Sequence, residues 1–216
     1  MSEEKLYSEL EMNFTNEETA LLCIDLQYYD TMPGFGFLKD KAYDDEEYGY
    51  YFKRLDETVF DNVYLLQERF RSDKMEVIHV KIESMTEDGR DRSPGHKKIG
   101  CFVKKGTKDA EIVERVEPKG DEIVIAKTAS GVFNSTNIDY ILKNLGIKNL
   151  VITGVLTNEC VENAVRAAAD MGYSVIMVND ATAAFSKELH DHSIRALDGV
   201  YCKVVETKDV LKMLSV

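Results

Sequence analysis

Asp25, Lys127 and Cys160 are the side chains of this chain whose types and placement suit nucleophilic hydrolysis. A thiol attacks only as its thiolate, and a helix N-terminus with a cation nearby lowers its pKa. Cys160 falls in the first turn of a helix that follows the apolar run Leu150-Val151-Ile152-Thr153, and Lys127 is placed to supply the cation. Asp25 can take the thiol proton and later return it to a leaving amine, with Lys127 holding the carboxylate. Taken singly, each residue is ordinary: an Asp closing a strand is commonly a turn residue, a Lys a solvated charge, a Cys a packing group. Their convergence at one edge of one sheet is what points to chemistry. Histidine is not needed for it.

That convergence requires a sheet of a particular kind. Residues 20–26, 77–80, 122–126, 150–153, 174–178 and 202–205 are short, largely apolar runs of the sort that strands buried on both faces display. Helical patterns separate them, which predicts a six-stranded parallel sheet with right-handed crossovers: an α/β, Rossmann-like, three-layer α/β/α sandwich. Residues 55–70 read as an amphipathic helix with Val59, Val63, Leu66 and Phe70 on one face. A helix from Ser135-Thr136-Asn137-Ile138 closes at Gly146, and another, capped by Thr157 or Asn158, runs through Val161, Ala164, Val165 and Ala168 to Gly172. Ser186 opens a helix burying Leu189, Ile194 and Leu197, and Thr207 caps a short last one. Residues 30–51 and 84–108 break the rhythm after strand ends, where such sheets bind ligands, and read as lids or pocket walls within one domain spanning 1–216.

Composition narrows the class. A net charge of −12 repels phosphate backbones and makes nucleic acid a poor partner. No apolar run approaches the roughly 18 residues of a membrane span, and the acidic start MSEEKLYSELEMNF is no signal peptide, so a cytoplasmic location is expected. Cys23, Cys101, Cys160 and Cys202 are widely spaced and expected to be reduced, the first, second and fourth of them buried.

Leu22-Cys23-Ile24-Asp25-Leu26-Gln27, Ala126-Lys127-Thr128-Ala129-Ser130-Gly131-Val132-Phe133-Asn134-Ser135-Thr136 and Thr153-Gly154-Val155-Leu156-Thr157-Asn158-Glu159-Cys160-Val161 resemble the isochorismatase-like cysteine hydrolases, over roughly residues 18–206. The resemblance implies Asp25, Lys127 and Cys160 as a catalytic triad. It also implies a cis peptide between Val155 and Leu156, and an oxyanion hole made by the amides of Leu156 and Cys160. Vinyl-ether-cleaving members lack the cysteine, so Cys160 implies C–N hydrolysis through a thioester. Nicotinamidases carry an Asp-x-His metal motif where this chain has Ile82-Glu83-Ser84-Met85, which implies neither metal nor cofactor. Ureidoacrylate, biuret and N-carbamoylsarcosine amidohydrolases are closer in pattern, and homodimers or homotetramers are usual in the superfamily.

For a small amide or ureido substrate, Gln27 and Asn158 offer donor and acceptor together, and Glu83 can meet an N–H. Tyr28, Tyr29, Phe35 and Phe37 are candidate pocket walls, and Phe133 follows the lysine closely. Arg90 and Arg92 suit a carboxylate clamp but fit a solvated loop better. His79 reads as structural, His96 as part of a polar loop, and His190 with His192 as a solvated helix turn. A catalytically idle scaffold that binds a metabolite or protein is the alternative reading, disfavoured by an intact triad.

Overall fold

A computed structural model describes residues 15–214; the acidic start of the chain lies outside the described residues. Six strands carry the frame: β1 (Thr19–Ile24), β2 (Glu76–Ile82), β3 (Ile123–Lys127), β4 (Asn149–Val155), β5 (Ser174–Ala183) and β6 (Lys203–Val205). The helices are α1 (Tyr28–Thr31), α2 (Gly49–Arg54), α3 (Phe60–Ser72), α4 (Pro94–Lys98), α5 (Ile138–Asn144), α6 (Glu162–Asp170), α7 (Lys187–Leu197) and α8 (Thr207–Met213).

All neighbouring strands pair in parallel, in the order β3-β2-β1-β4-β5-β6. The expected six-stranded parallel sheet flanked by helices is therefore the fold. β1 sits centrally and is buried along its whole length, which is why its sequence is apolar without alternation. Its side chains still divide by face. Leu21 and Cys23 pack with Val63, Leu66 and Phe70 of α3 and Val210 of α8. Ala20, Leu22 and Ile24 pack with Ile138 and Leu142 of α5 and with Ala164, Val165 and Ala168 of α6.

α2 and α3 form one run joined by a wider π-helical turn at Leu55–Val59, and Val59, Val63, Leu66 and Phe70 are buried as their spacing predicts. Ser186 caps α7, accepting from the Leu189 amide. Three local expectations differ. Leu189 is exposed, and His190, Ser193 and Leu197 form the buried face of α7. Neither Thr157 nor Asn158 caps α6: the Thr157 hydroxyl is paired with His190 Nδ1 at 2.9 Å, and Asn158 Oδ1 has no partner. Thr207 does not cap α8 either; Asp180 Oδ1 accepts both its amide and its hydroxyl. Among the described residues no helix is long and apolar enough to cross a membrane.

Strand order reverses direction between β1 and β4, so the chain leaves the carboxyl ends of these neighbours toward opposite sides and opens a crevice there. Asp25 follows β1 at that point, and the turn holding Cys160 follows β4.

Candidate active site

Asp25 turns out of β1 in the left-handed region, at φ 53°, a conformation that Asp tolerates better than most residues and that takes the chain sharply off the strand. Its amide still donates to Val80 O at 2.8 Å, so the turn is tied to β2. Lys127 ends β3 in register with Ile82. Cys160 lies in the π-helical turn Thr157–Val161 that leads into α6. Register alone brings these three strand ends to one place.

Lys127 is 0 % exposed, and a buried ammonium must use its three donors. They meet Asp25 Oδ2 at 2.9 Å, Ala129 O at 3.0 Å and Cys160 Sγ at 3.3 Å. Burial opposes its charge, but the Asp25 carboxylate and then Cys160 outweigh it and hold the lysine protonated. Burial raises the Asp25 pKa while Lys127 pulls it back down. For Cys160, burial pushes the thiol well up; Lys127 works against this, and the charge of Asp25 adds to it. The Cys160 pKa is thus raised on balance, where the helix start and the nearby cation were expected to lower it. The bond between Val155 and Leu156 is cis, as the resemblance implies.

A cavity of about 320 Å³ opens on this cluster. Leu156 and Cys160 line it from the end of β4 and the turn after it, Asp30, Phe37 and Tyr48 contribute from residues 30–51, and His96, Ile99 and Cys101 contribute from 84–108. All four cysteines are free and buried; Cys101 and Cys160 both line the cavity, and Cys160, at 7 % exposure, is the one within reach of the Lys127 ammonium.

Four of the suggested substrate contacts lie elsewhere. Gln27 is fully buried and committed to backbone: its amide donates to Ile82 O and Asp109 O, each at 3.0 Å, and its oxygen accepts from the Ile82 amide. Tyr29 packs with Ile82, Cys101 and Val103, and its hydroxyl accepts from the Phe102 amide. Glu83 pairs with Lys81 at 3.2 Å and accepts from the Gly106 amide. Phe133 belongs to the core, against Tyr173. Asn158 lines a neighbouring cleft with His96, Ser130 and Glu159. Of the four suggested aromatic walls only Phe37 faces the cavity; Tyr28 stacks on Phe35 and donates to Glu114.

The basic candidates also resolve. Arg90 pairs with Asp88 on the surface. Arg92 donates to Gly89 O and Cys101 O, which fastens the loop rather than clamping a carboxylate. His79 is buried against Glu122, as expected of a structural residue. His190 is buried, not solvated: Thr157, Asn179 and Arg54 surround its ring, and burial followed by Arg54 lowers its pKa to about 4. His96 is a buried wall of the cavity rather than a polar loop residue. Asp30 and Glu159 were not singled out by sequence; the available signal for Asp30 is its place in α1, just after the turn that Asp25 begins. Among the described residues no group of three or more His, Cys, Asp or Glu is arranged to hold a metal ion.

Residues 19–209 match the Isochorismatase domain family. The chain belongs to the isochorismatase family. Its relatives include the ureidoacrylate amidohydrolase RutB of Agrobacterium fabrum, 41 % identical over 83 residues, which are 38 % of this chain and 36 % of that protein. Nicotinamidase 3 of Arabidopsis thaliana is 30 % identical over 117 residues, 53 % of this chain and 59 % of that protein. The chain therefore spans about a third and three fifths of these two relatives. Among solved structures, a cysteine hydrolase from Pseudomonas syringae pv. phaseolicola 1448A superposes with a TM-score of 0.80 at 19 % identity, covering 94 % of this chain and 95 % of that one, a likeness of fold.

Proposed function

We propose that this isochorismatase-family protein is a metal-independent cysteine amidohydrolase that cleaves an amide, ureido or carbamoyl C–N bond of a small metabolite. The observation that carries the reading is the Lys127 ammonium, held between Asp25 Oδ2 at 2.9 Å and Cys160 Sγ at 3.3 Å at the wall of a cavity. A binding module has no use for a buried base, cation and thiol in contact.

In this scheme Cys160 Sγ attacks the carbonyl carbon as Asp25 takes its proton, and the amides of Leu156 and Cys160 hold the oxyanion. Asp25 passes the proton to the leaving nitrogen, the C–N bond breaks, and ammonia or an amine departs from a thioester. Water then attacks the thioester, losing a proton to Asp25. Asp25 returns that proton to Sγ, and the acid leaves. Lys127 keeps Asp25 in place and balances its charge throughout. Residues 30–51 and 84–108 act as pocket walls within one domain, and the protein assembles as a homodimer or homotetramer, which sizing by light scattering would resolve.

Ammonia release from ureidoacrylate, biuret, N-carbamoylsarcosine and nicotinamide, with Cys160→Ser as control, tests the reading. Turnover lost in the control supports it, and an unchanged rate in Cys160→Ser sinks it. Unchanged turnover after treatment with a chelator supports the metal-independent form. Silence across the panel, with no thioester trapped from any amide, favours the idle scaffold.

A further inference from the structure

Beyond the reactive cluster, the cavity has a one-sided charge pattern. Asp30 and Glu159 line it, and none of its lining residues is Lys or Arg. The cations close by are already engaged: Lys127 pairs with Asp25, Lys41, set against the Tyr48 ring, pairs with Asp45, and Arg92 donates to Gly89 O and Cys101 O. A substrate carboxylate entering here would meet two acidic side chains and no lining cation.

Two polar atoms of this wall lack partners. Asp30 Oδ2 is closed to solvent and accepts no hydrogen bond. His96 is 3 % exposed, and its Nδ1 is unpaired while Nε2 faces Ser130 Oγ at 3.3 Å. Buried polar atoms are almost always satisfied, and at a cavity wall a ligand atom can supply the missing partner. Burial and then the charge of Asp25 hold the Asp30 carboxyl well above the usual carboxylate range. A cation brought beside it offsets both effects and lets it ionise. Burial followed by Lys127 and Arg92 lowers His96 to about 4, so its ring is neutral and adds no repulsion. Phe37, Tyr48 and Phe185 line the same cavity and supply the faces on which an alkylammonium packs.

We propose that the substrate carries, away from its scissile amide, a hydrogen-bond-donating nitrogen, best as an ammonium, which Asp30 receives with His96 and Glu159 beside it, and that a carboxylate in that position is rejected. The proposal rests on Cys160 as the nucleophile of this cavity. It makes Asp30 the specificity-determining residue and sets this chain apart from enzymes that act on anionic ureido acids.

The test uses three matched probes on the full chain: 4-(aminomethyl)benzamide, 4-ethylbenzamide and 4-carbamoylbenzoate, read as kcat/KM for ammonia release. The expected order is ammonium, neutral, carboxylate, with about a hundredfold between the extremes. Asp30→Asn should cut the ammonium-to-neutral ratio about tenfold, chiefly through KM, and Glu159→Gln should do so to a smaller degree. Should Asp30→Asn not fold, the wild-type order and the Glu159→Gln ratio decide. A preferred carboxylate probe, or an unchanged ratio in folded Asp30→Asn, overturns the proposal. If no probe releases ammonia, calorimetric binding to Cys160→Ala separates the two ideas. Tighter binding of the ammonium probe keeps the recognition and discards the hydrolysis; equal or absent binding discards the recognition.

Discussion

The cavity has two walls built on different principles. The inner wall, Leu156 and Cys160 with Asp25 and Lys127 buried behind them, stands on strand ends whose positions are set by backbone register: Ile24 faces Val80 on one side and Gly154 on the other, and Lys127 faces Ile82. The outer wall, with Phe37, Tyr48, His96 and Ile99, comes from connecting segments, and side chains hold it in place. Gln27 binds the backbone of Ile82 and Asp109, the Tyr51 hydroxyl donates to Asp30 O at 2.8 Å, and Arg92 donates to Cys101 O at 2.9 Å. Groups that must meet within a few tenths of an ångström are placed on the sheet, and groups that select a substrate are placed where insertion and substitution are tolerated.

If this division holds, damage to the inner wall should stop chemistry and damage to the outer wall should change binding. Cys160→Ala is expected to lower kcat by about 10⁴ or more while the melting temperature hardly moves, as single-turnover ammonia assays and calorimetry would show. Lys127→Met leaves the Asp25 carboxyl buried without its cation. It should cost about 3–5 kcal/mol in urea unfolding and at least about a hundredfold in kcat. Adding Asp25→Asn should recover part of the stability and none of the activity, since the uncompensated charge is gone and the base with it.

Gln27→Ala tests the outer wall's fastening. It strands a buried Ile82 amide and two carbonyls, and should destabilise by about 2 kcal/mol in the same unfolding assay, with a weaker effect on the chemical step. The state of the nucleophile can be read by iodoacetamide. Because the Cys160 pKa is raised above its ordinary value, the thiolate fraction is small at neutral pH, and alkylation should climb about tenfold per pH unit with no plateau below pH ~9. A plateau near pH 7 would instead mean a preformed thiolate. Smallest of all, Phe37→Ala should raise KM by roughly three- to tenfold with less change in kcat, since Phe37 lines the cavity while staying 42 % exposed.

The same division explains what could be read from sequence. A buried parallel strand announces itself as an apolar run, and a residue at its end inherits a known position. Asp25, Lys127 and Cys160 could therefore be brought together without coordinates. Gln27 and Phe133 could not be placed by the same reasoning. Gln27 sits two residues past Asp25, and nothing local reveals that its amide reaches chain 55 and 82 residues away. Phe133 looks like a pocket residue by its nearness to Lys127, yet it turns into the core against Tyr173. Asp30 is not singled out in the sequence and His96 reads there only as part of a polar loop, because what sets both apart is an unpaired atom, a property of three-dimensional surroundings rather than of spacing. His190 misled for the converse reason: beside a polar neighbour on a helix it reads as solvated, while Arg54 and Asn179 close over it from distant segments.

Gly154 sits at φ 113°, and a Cβ built there would stand 2.0 Å from the carbonyl oxygen of Ile24. The two strands that deliver the acid and the thiol thus touch backbone to backbone one residue before Asp25, with no side chain between them as a spacer. The separation of the reactive atoms is consequently gauged by a residue that never meets the substrate. Even the smallest replacement at 154 would act as a shim, spreading the crevice and throwing the site out of alignment while every reactive group remained present. Libraries meant to change what this protein accepts should vary the connecting segments and keep this joint fixed.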